Sequence, residues 1–214
     1  MLSKRLKSLT KYIDNNDSII DVGCDHALLD IYLIKNNIVN KMIASDIHES
    51  AYEQGLNNIN HYGLSDYIDI RLGDGLKVLT DNDNVDTLLI SGMGSNTIID
   101  IIDNQYMDSI KKVIIQSNND YELLRKTITQ KGYYIDNEEF FDDKGISYIN
   151  IVFIKGNKEY NSDELKYGPI LIHNKEYLAY ELNKLKSIIN KIPDDKKKSF
   201  YDEISKLEEY IQMT

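Results

Sequence analysis

Tryptophan is absent from this 214-residue chain, cysteine occurs once and proline twice. The single cysteine, Cys24, allows no internal disulfide and fits a cytoplasmic setting. No apolar run is long enough for a membrane span; a typical one, Asp86-Thr87-Leu88-Leu89-Ile90, is strand-sized. The first residues, Met1-Leu2-Ser3-Lys4-Arg5-Leu6-Lys7, lack an apolar h-region, so no secretory signal is expected. The four His and the Cys are scattered without metal-ligand spacing, so no metal is expected. There is no internal repeat and no low-complexity segment. Many Asn, Ile, Lys and Tyr beside so few Pro suggest compositional drift, so single Asn and Lys residues carry little weight.

Positive charge is also scarce. The net charge is −10, which argues against strong nonspecific binding to nucleic acid. The ends are less acidic than the middle. Residues 1–11 carry Lys4, Arg5, Lys7 and Lys11 with no acid, and residues 166–214 carry nine Lys against eight acids. An acidic body with more basic ends still leaves room for an RNA at those ends. A solvated surface with scattered charge is the plain alternative.

What the sequence has is alternation. Residues 18–23, 41–46, 67–72, 85–91 and 113–117 read as strands, and roughly 26–37, 48–62, 95–104 and 119–131 as helices between them. Such alternation predicts an α/β fold with a parallel sheet covered by helices on both faces. Residues 133–141 and 146–154 follow with only Asp142-Asp143-Lys144-Gly145 between them, which predicts a terminal antiparallel hairpin. Five parallel strands closed by a hairpin resemble the Rossmann-like sheet of class I S-adenosylmethionine (SAM) methyltransferases. The length suits one such domain, placed at 1–156, plus a small appendage at 157–214. The appendage opens with a polar linker, residues 157–167. Leu178, Leu182, Leu185, Ile189 and Ile192 then repeat at heptad-like spacing, Pro193 breaks the pattern, and Phe200, Ile204, Leu207 and Ile211 resume it. That predicts a coiled-coil-like helical hairpin, either a packing module or an arm that grips a partner.

In open α/β sheets ligands sit beyond the carboxyl ends of the strands. The first such end carries Asp21, Gly23, Cys24, Asp25 and His26, the second Asp46 and Ile47, the third Asp74 and Gly75, the fourth Gly92 and Met93. A pyrophosphate needs bare backbone N–H groups and close backbone approach. Asp21 and Asp25 beside it would cost about 1 kcal/mol or more even with strong screening. SAM has no phosphate and carries an ammonium and a sulfonium, both favoured by carboxylates. Asp46 is placed to accept from ribose hydroxyls, Asp74 from an adenine amino group. Each has a structural alternative: Asp21 as a strand end, Asp25 and Asp46 as helix caps, Gly73-Asp74-Gly75 as an ordinary turn, His26 as a structural residue and Met93 as core filler.

The chain resembles, across nearly its whole length, the TrmK family of bacterial tRNA (adenine-22-N1)-methyltransferases. The resemblance rests on Leu2-Ser3-Lys4-Arg5-Leu6, Asp21-Val22-Gly23-Cys24-Asp25-His26-Ala27, Gly73-Asp74-Gly75-Leu76, Ser91-Gly92-Met93-Gly94, Gln116-Ser117-Asn118 and Gly168-Pro169. The family usually has Gln-Pro-Asn at 116–118, commonly Glu at 46, and a fourth residue Gly where Ser95 stands. The resemblance implies SAM as methyl donor and N1 of a tRNA D-arm adenine as acceptor. On that basis Asp25, Met93 and Asn118 are the expected catalytic residues. Asp25 would stabilise the cationic product, Met93 would wall the base and Asn118 would read its edge, although a loop-capping Asn is equally natural. Lys4, Arg5, Lys7, Arg71 and Arg125 are the expected RNA contacts, with salt bridges to the abundant acids as the alternative. A cytoplasmic monomer with no membrane partner is expected. Methylation of another substrate, or an inactive SAM-fold interaction protein, remain the competing readings.

Overall fold

The structure, a computed structural model, describes residues 2–191 and 193–214. The chain forms two compact units, Met1–Lys158 and Glu159–Thr214.

The first unit is built on a seven-stranded sheet. Its strands are β1 (Ile19–Val22), β2 (Met42–Asp46), β3 (Ile68–Leu72), β4 (Thr87–Met93), β5 (Lys112–Ser117), β6 (Tyr133–Asp143) and β7 (Ile146–Lys155). Their order is β3-β2-β1-β4-β5-β7-β6. The first five are parallel, β7 runs antiparallel to β5, and β6 pairs with β7 at the edge. The terminal hairpin therefore closes the sheet as its sequence predicts, with its second strand inserted next to β5. Strands β1, β4 and β5 are buried along most of their lengths, which is why they read as unbroken Ile/Leu/Val runs rather than alternating ones.

Five helices accompany the sheet: α1 (Lys4–Leu9), α2 (Leu28–Lys35), α3 (Glu49–His61), α4 (Ser95–Ile102) and α5 (Tyr121–Gln130). Helix α2 starts two residues later than its periodicity suggests. Asp25 and Ala27 hold left-handed backbone, at φ of 53° and 55°, so the helix cannot begin before them. The chain reverses its order across the sheet between β1 and β4, and this switch point leaves a crevice beyond their carboxyl ends.

The second unit contains α6 (Ser162–Tyr167), α7 (Lys175–Ile188) and α8 (Asp194–Met213). Helix α6 corrects the expectation of a polar linker. Asn161 accepts from the N–H groups of Asp163 and Glu164, while Glu164 accepts from the Asn161 N–H, a capping box that nucleates a helix within a polar stretch. Helices α7 and α8 pack on each other through the seam expected from the heptad spacing, with Leu178, Ile189, Ile204 and Leu207 buried. Ile192, also assigned to that seam, lies outside the described residues. Among the described residues no helix is long and apolar enough to cross a membrane.

Candidate active site

The crevice at the switch point opens into a cavity of about 760 Å³, lined by the ends of β1, β2, β3 and β4, by α4 and by α1. That size suits a cofactor-scale ligand. Asp21, Gly23, Cys24, Asp25, His26, Asp46, Ile47, Asp74, Gly75, Gly92 and Met93 all line it, so the four turns singled out in the sequence converge.

The first turn is built to refuse a phosphate. The N–H groups of Gly23 and Cys24 both donate to the Ser45 carbonyl, at 2.8 and 3.0 Å, and Ala27 N–H donates to Cys24 O. The Asp25 N–H donates to Asp46 Oδ2 at 3.0 Å. A dinucleotide turn would aim these donors at the pyrophosphate; here they join β1 to β2. The N-cap position of α2 is Ala27, with no side-chain cap, so Asp25 is not a helix cap. Its carboxylate is 73% exposed and lies 3.5 Å from His26 Nε2. Asp46 is not a helix cap either, since His48 holds that position in α3. Instead the buried Asp46 carboxylate bridges the N–H groups of Asp25 and His48, the latter at 2.9 Å.

Asp21 is 3% exposed, and its Oδ1 has no hydrogen-bond partner. Burial pushes its carboxyl well above the usual range, and the charges of Asp30 and Asp46 push in the same direction. Asp30, behind it on α2, is fully buried with neither oxygen partnered by another residue. Burial pushes its pKa up to about 7. The Cys24 thiol is likewise pushed up, first by burial and then by these acids, so it stays protonated and unreactive.

Strand β4 carries a register shift between Ser91 and Met93, with Gly92 at φ +80°. Such a bulge re-aims the next side chain. Met93 turns over the first loop, where its methyl would meet a Cβ on Gly23; Gly23 also holds φ +77°, left-handed backbone that favours glycine. Asn118 does not line the cavity. Its amide donates to Gly92 O at 2.7 Å and its N–H to Met93 O at 2.9 Å. It thus ties the bulge in place.

The five basic residues separate. Arg5 lines the cavity. Lys4 and Lys7 are exposed on α1, with Lys4 Nζ donating to Asp142 O at 2.5 Å. One expectation is corrected, and another residue proves to be ion-paired. Arg125 is fully buried, with Nε 2.7 Å from the equally buried Glu138, so it is a core ion pair that RNA cannot reach. Arg71 is gripped by Asp69, Asp83 and the Val78 carbonyl, which engage its Nε and both Nη atoms and leave it outside the cavity wall. Sequence reasoning also missed Thr97, Asp100, Ile101 and Asn104, which line the cavity. Their spacing along α4 and just beyond marks one helical face, a signal present in the sequence.

The residues fit SAM. Asp21 offers an unpartnered buried acceptor to an ammonium, Asp46 offers its remaining lone pairs to ribose hydroxyls, and Ile47, 59% exposed, offers an apolar face beside them. Asp74 also lines the cavity, with its Oδ2 2.5 Å from Lys77 Nζ. Among the described residues no group of three or more His, Cys, Asp or Glu is arranged to hold a metal.

Residues 2–151 match the protein family described as "Methyltransferase domain". The tRNA (adenine(22)-N(1))-methyltransferase of Bacillus subtilis (strain 168) is 28% identical over 186 residues, 85% of this chain and 76% of that protein. A Streptococcus agalactiae protein of the NADB-Rossmann superfamily, solved by crystallography, is 32% identical and covers 99% of this chain and 97% of its own, with a TM-score of 0.90. The structure of M. capricolum TrmK in complex with S-adenosyl-homocysteine (SAH) is 31% identical, covers 99% and 98%, and has a TM-score of 0.88. The match runs through both units, and the phosphate-refusing turn lies inside it: the chain belongs to the TrmK family of methyltransferases.

Proposed function

We propose that this protein transfers the methyl group of SAM to N1 of the adenine at position 22 in the D-arm of tRNA. The observation that carries the cofactor half is the first turn, whose N–H donors are spent on Ser45 and Asp46 while its acids line the cavity. The acceptor half is supported by the Bacillus subtilis relative, named a tRNA (adenine(22)-N(1))-methyltransferase.

The bound sulfonium supplies an electrophilic methyl group. Adenine N1 already carries a lone pair, so the chain needs no strong base, and its task is proximity and alignment. The target base must leave its stack or pair to reach the cavity. Met93, flexible and apolar, forms a wall for it. The product base is cationic, and the exposed Asp25 carboxylate in the cavity wall stabilises that charge as it develops. Asn118 supports this wall by holding Gly92. Lys4 and Lys7 provide phosphate contacts on α1, and the second unit supplies further tRNA surface. The enzyme works in the cytoplasm as a monomer.

The test is incubation with methyl-labelled SAM and a set of unmodified tRNAs, followed by nucleoside analysis and mapping of the modified position. One 1-methyladenosine at position 22, lost when that base is changed, is the expected result. Label confined to protein, small molecules or another nucleoside would reject the assignment.

A further inference from the structure

The hairpin of β6 and β7 runs past the rest of the sheet. Asn150 opposite Gln116 is the last pair between β7 and β5, whereas β6 and β7 stay paired out to Asp143 and Ile146. The overhang is a two-stranded ribbon beyond the carboxyl end of β5, the end of the sheet at which the cavity opens.

The acids of this ribbon are spent on holding backbone. Gly145 N–H donates to Asp142 Oδ1 at 2.9 Å, which fixes the turn. Arg5 N–H donates to Asp143 Oδ2 at 3.2 Å, which ties the ribbon to α1 at a residue that lines the cavity. Nearer the sheet, Glu139 pairs with Lys11.

One face of the ribbon carries two rings. Phe141 and Tyr148 are directly opposed across the strands, and their rings stack with centroids 5.7 Å apart and planes 26° apart. Such a pair stiffens the ribbon, yet both rings are only half-buried. Lys4 Nζ stands 5.7 Å from the Phe141 centroid. Tyr148 makes no hydrogen bond among the described residues, so Phe141 is the backed ring and Tyr148 the one left to stack on a third. Ile146, 58% exposed, extends the apolar surface.

The cations nearby are open. Lys4 and Lys7, three apart on one face of α1, are exposed, and so is Lys144 in the turn. Among the described residues none of the three pairs with a carboxylate. In a chain of net charge −10, unpaired cations beside stacked rings suit a polyanion that also carries flat apolar faces. That is the chemistry of an unpaired nucleic-acid strand: bases stack on aromatics, and phosphates meet ammonium groups.

We propose that the projecting ribbon is a docking platform for the tRNA, with Tyr148 stacking on an unpaired nucleobase next to the target adenine and Lys4, Lys7 and Lys144 taking the phosphates around it. This rests on the tRNA methyltransferase reading above. The platform holds the strand beside the cavity while the target base leaves its stack.

Calorimetry with tRNA and with SAH tests it on the wild type, Tyr148→Phe and Tyr148→Leu. A base stacked on an aromatic ring gives about ten- to a hundred-fold in affinity. Tyr148→Leu should bind tRNA weaker by that factor, Tyr148→Phe should bind it nearly as the wild type does, and all three should bind SAH alike. A tRNA with an abasic residue on the 5′ or the 3′ side of the target adenine should, for one of the two sides, bind wild type and Tyr148→Leu equally. The chain has no tryptophan, so Tyr148→Trp supplies a single indole whose fluorescence tRNA should quench and SAH should not. Unchanged tRNA affinity in Tyr148→Leu, equal losses in Tyr148→Phe and Tyr148→Leu, or a parallel loss of SAH affinity overturns the proposal. So does a wild-type dimer that Tyr148→Leu dissolves, which would give the face to a second copy of the chain. A wild type that methylates no tRNA would instead remove the reading on which the platform rests.

Discussion

Asp30 offers a sharp thermodynamic test, because it is a fully buried carboxyl whose oxygens no other residue partners. Its pKa rises from an ordinary value of 3.8 to about 7, through burial, opposed only by its own backbone N–H. An acid raised in the folded state binds its proton more tightly there than in the unfolded chain. Stability is then greatest below pH 4 for this group, falls as pH rises, and reaches its full loss above pH 7. The gap corresponds to ~4 kcal/mol when complete, of which about 2–3 kcal/mol develops between pH 5 and pH 8. Asp30→Asn removes the ionisation while keeping the shape. Urea unfolding of both proteins at pH 5 and pH 8, at fixed ionic strength and without cofactor, measures the difference. The variant should gain about 2–3 kcal/mol on the wild type between the two pH values. Asp21, also raised by burial, keeps some pH dependence in both proteins. Parallel curves for the two proteins would refute the reasoning and place Asp30 in contact with water or a partner.

Four further outcomes are expected. Gly23→Ala puts a Cβ at φ +77° against the Met93 methyl, so it should cost about 1–3 kcal/mol and abolish detectable SAH binding; a normal Kd would show that Met93 moves aside freely. Arg125→Ala should destabilise by about 3–5 kcal/mol by stranding the buried Glu138, and leave the salt slope of tRNA binding unchanged; a shallower slope would restore it as an RNA contact. Asp25→Asn should lower kcat for tRNA by ten-fold or more with SAH affinity within about three-fold, and a loss confined to SAH affinity would make Asp25 a cofactor residue only. Removing residues 159–214 should weaken tRNA binding while SAH still binds; equal tRNA affinity would reduce the second unit to packing.

The fold was legible because its strands are short apolar runs separated by helical spacing, and burial on both faces makes such runs unmistakable in β1, β4 and β5. The turns were legible because Asp, Gly and His recur at the carboxyl end of each early strand. Helix α6 was hidden because polar side chains, through the Asn161–Glu164 capping box, hold it where apolar periodicity is weak. The arginines were hidden for a different reason. A guanidinium has the same sequence signature whether it is buried on Glu138, clasped by Asp83 or bonded to Gln116 at the cavity, since the partners lie 13, 12 and 111 positions away along the chain.

The sequence by itself determined the alternation of elements, the refusal of a phosphate by Asp25 in the first turn, and the convergence of four turns on one ligand. These follow from local spacing and from charge, which do not depend on what packs against them. Only the tertiary structure decided that Asp46 bridges two turns, that Asn118 holds the bulge at Gly92, that Arg125 is core, and that Arg5 reaches the cavity and bonds Gln116. Burial, and the choice of hydrogen-bond partner it forces on each polar atom, arise from contacts between residues far apart along the chain.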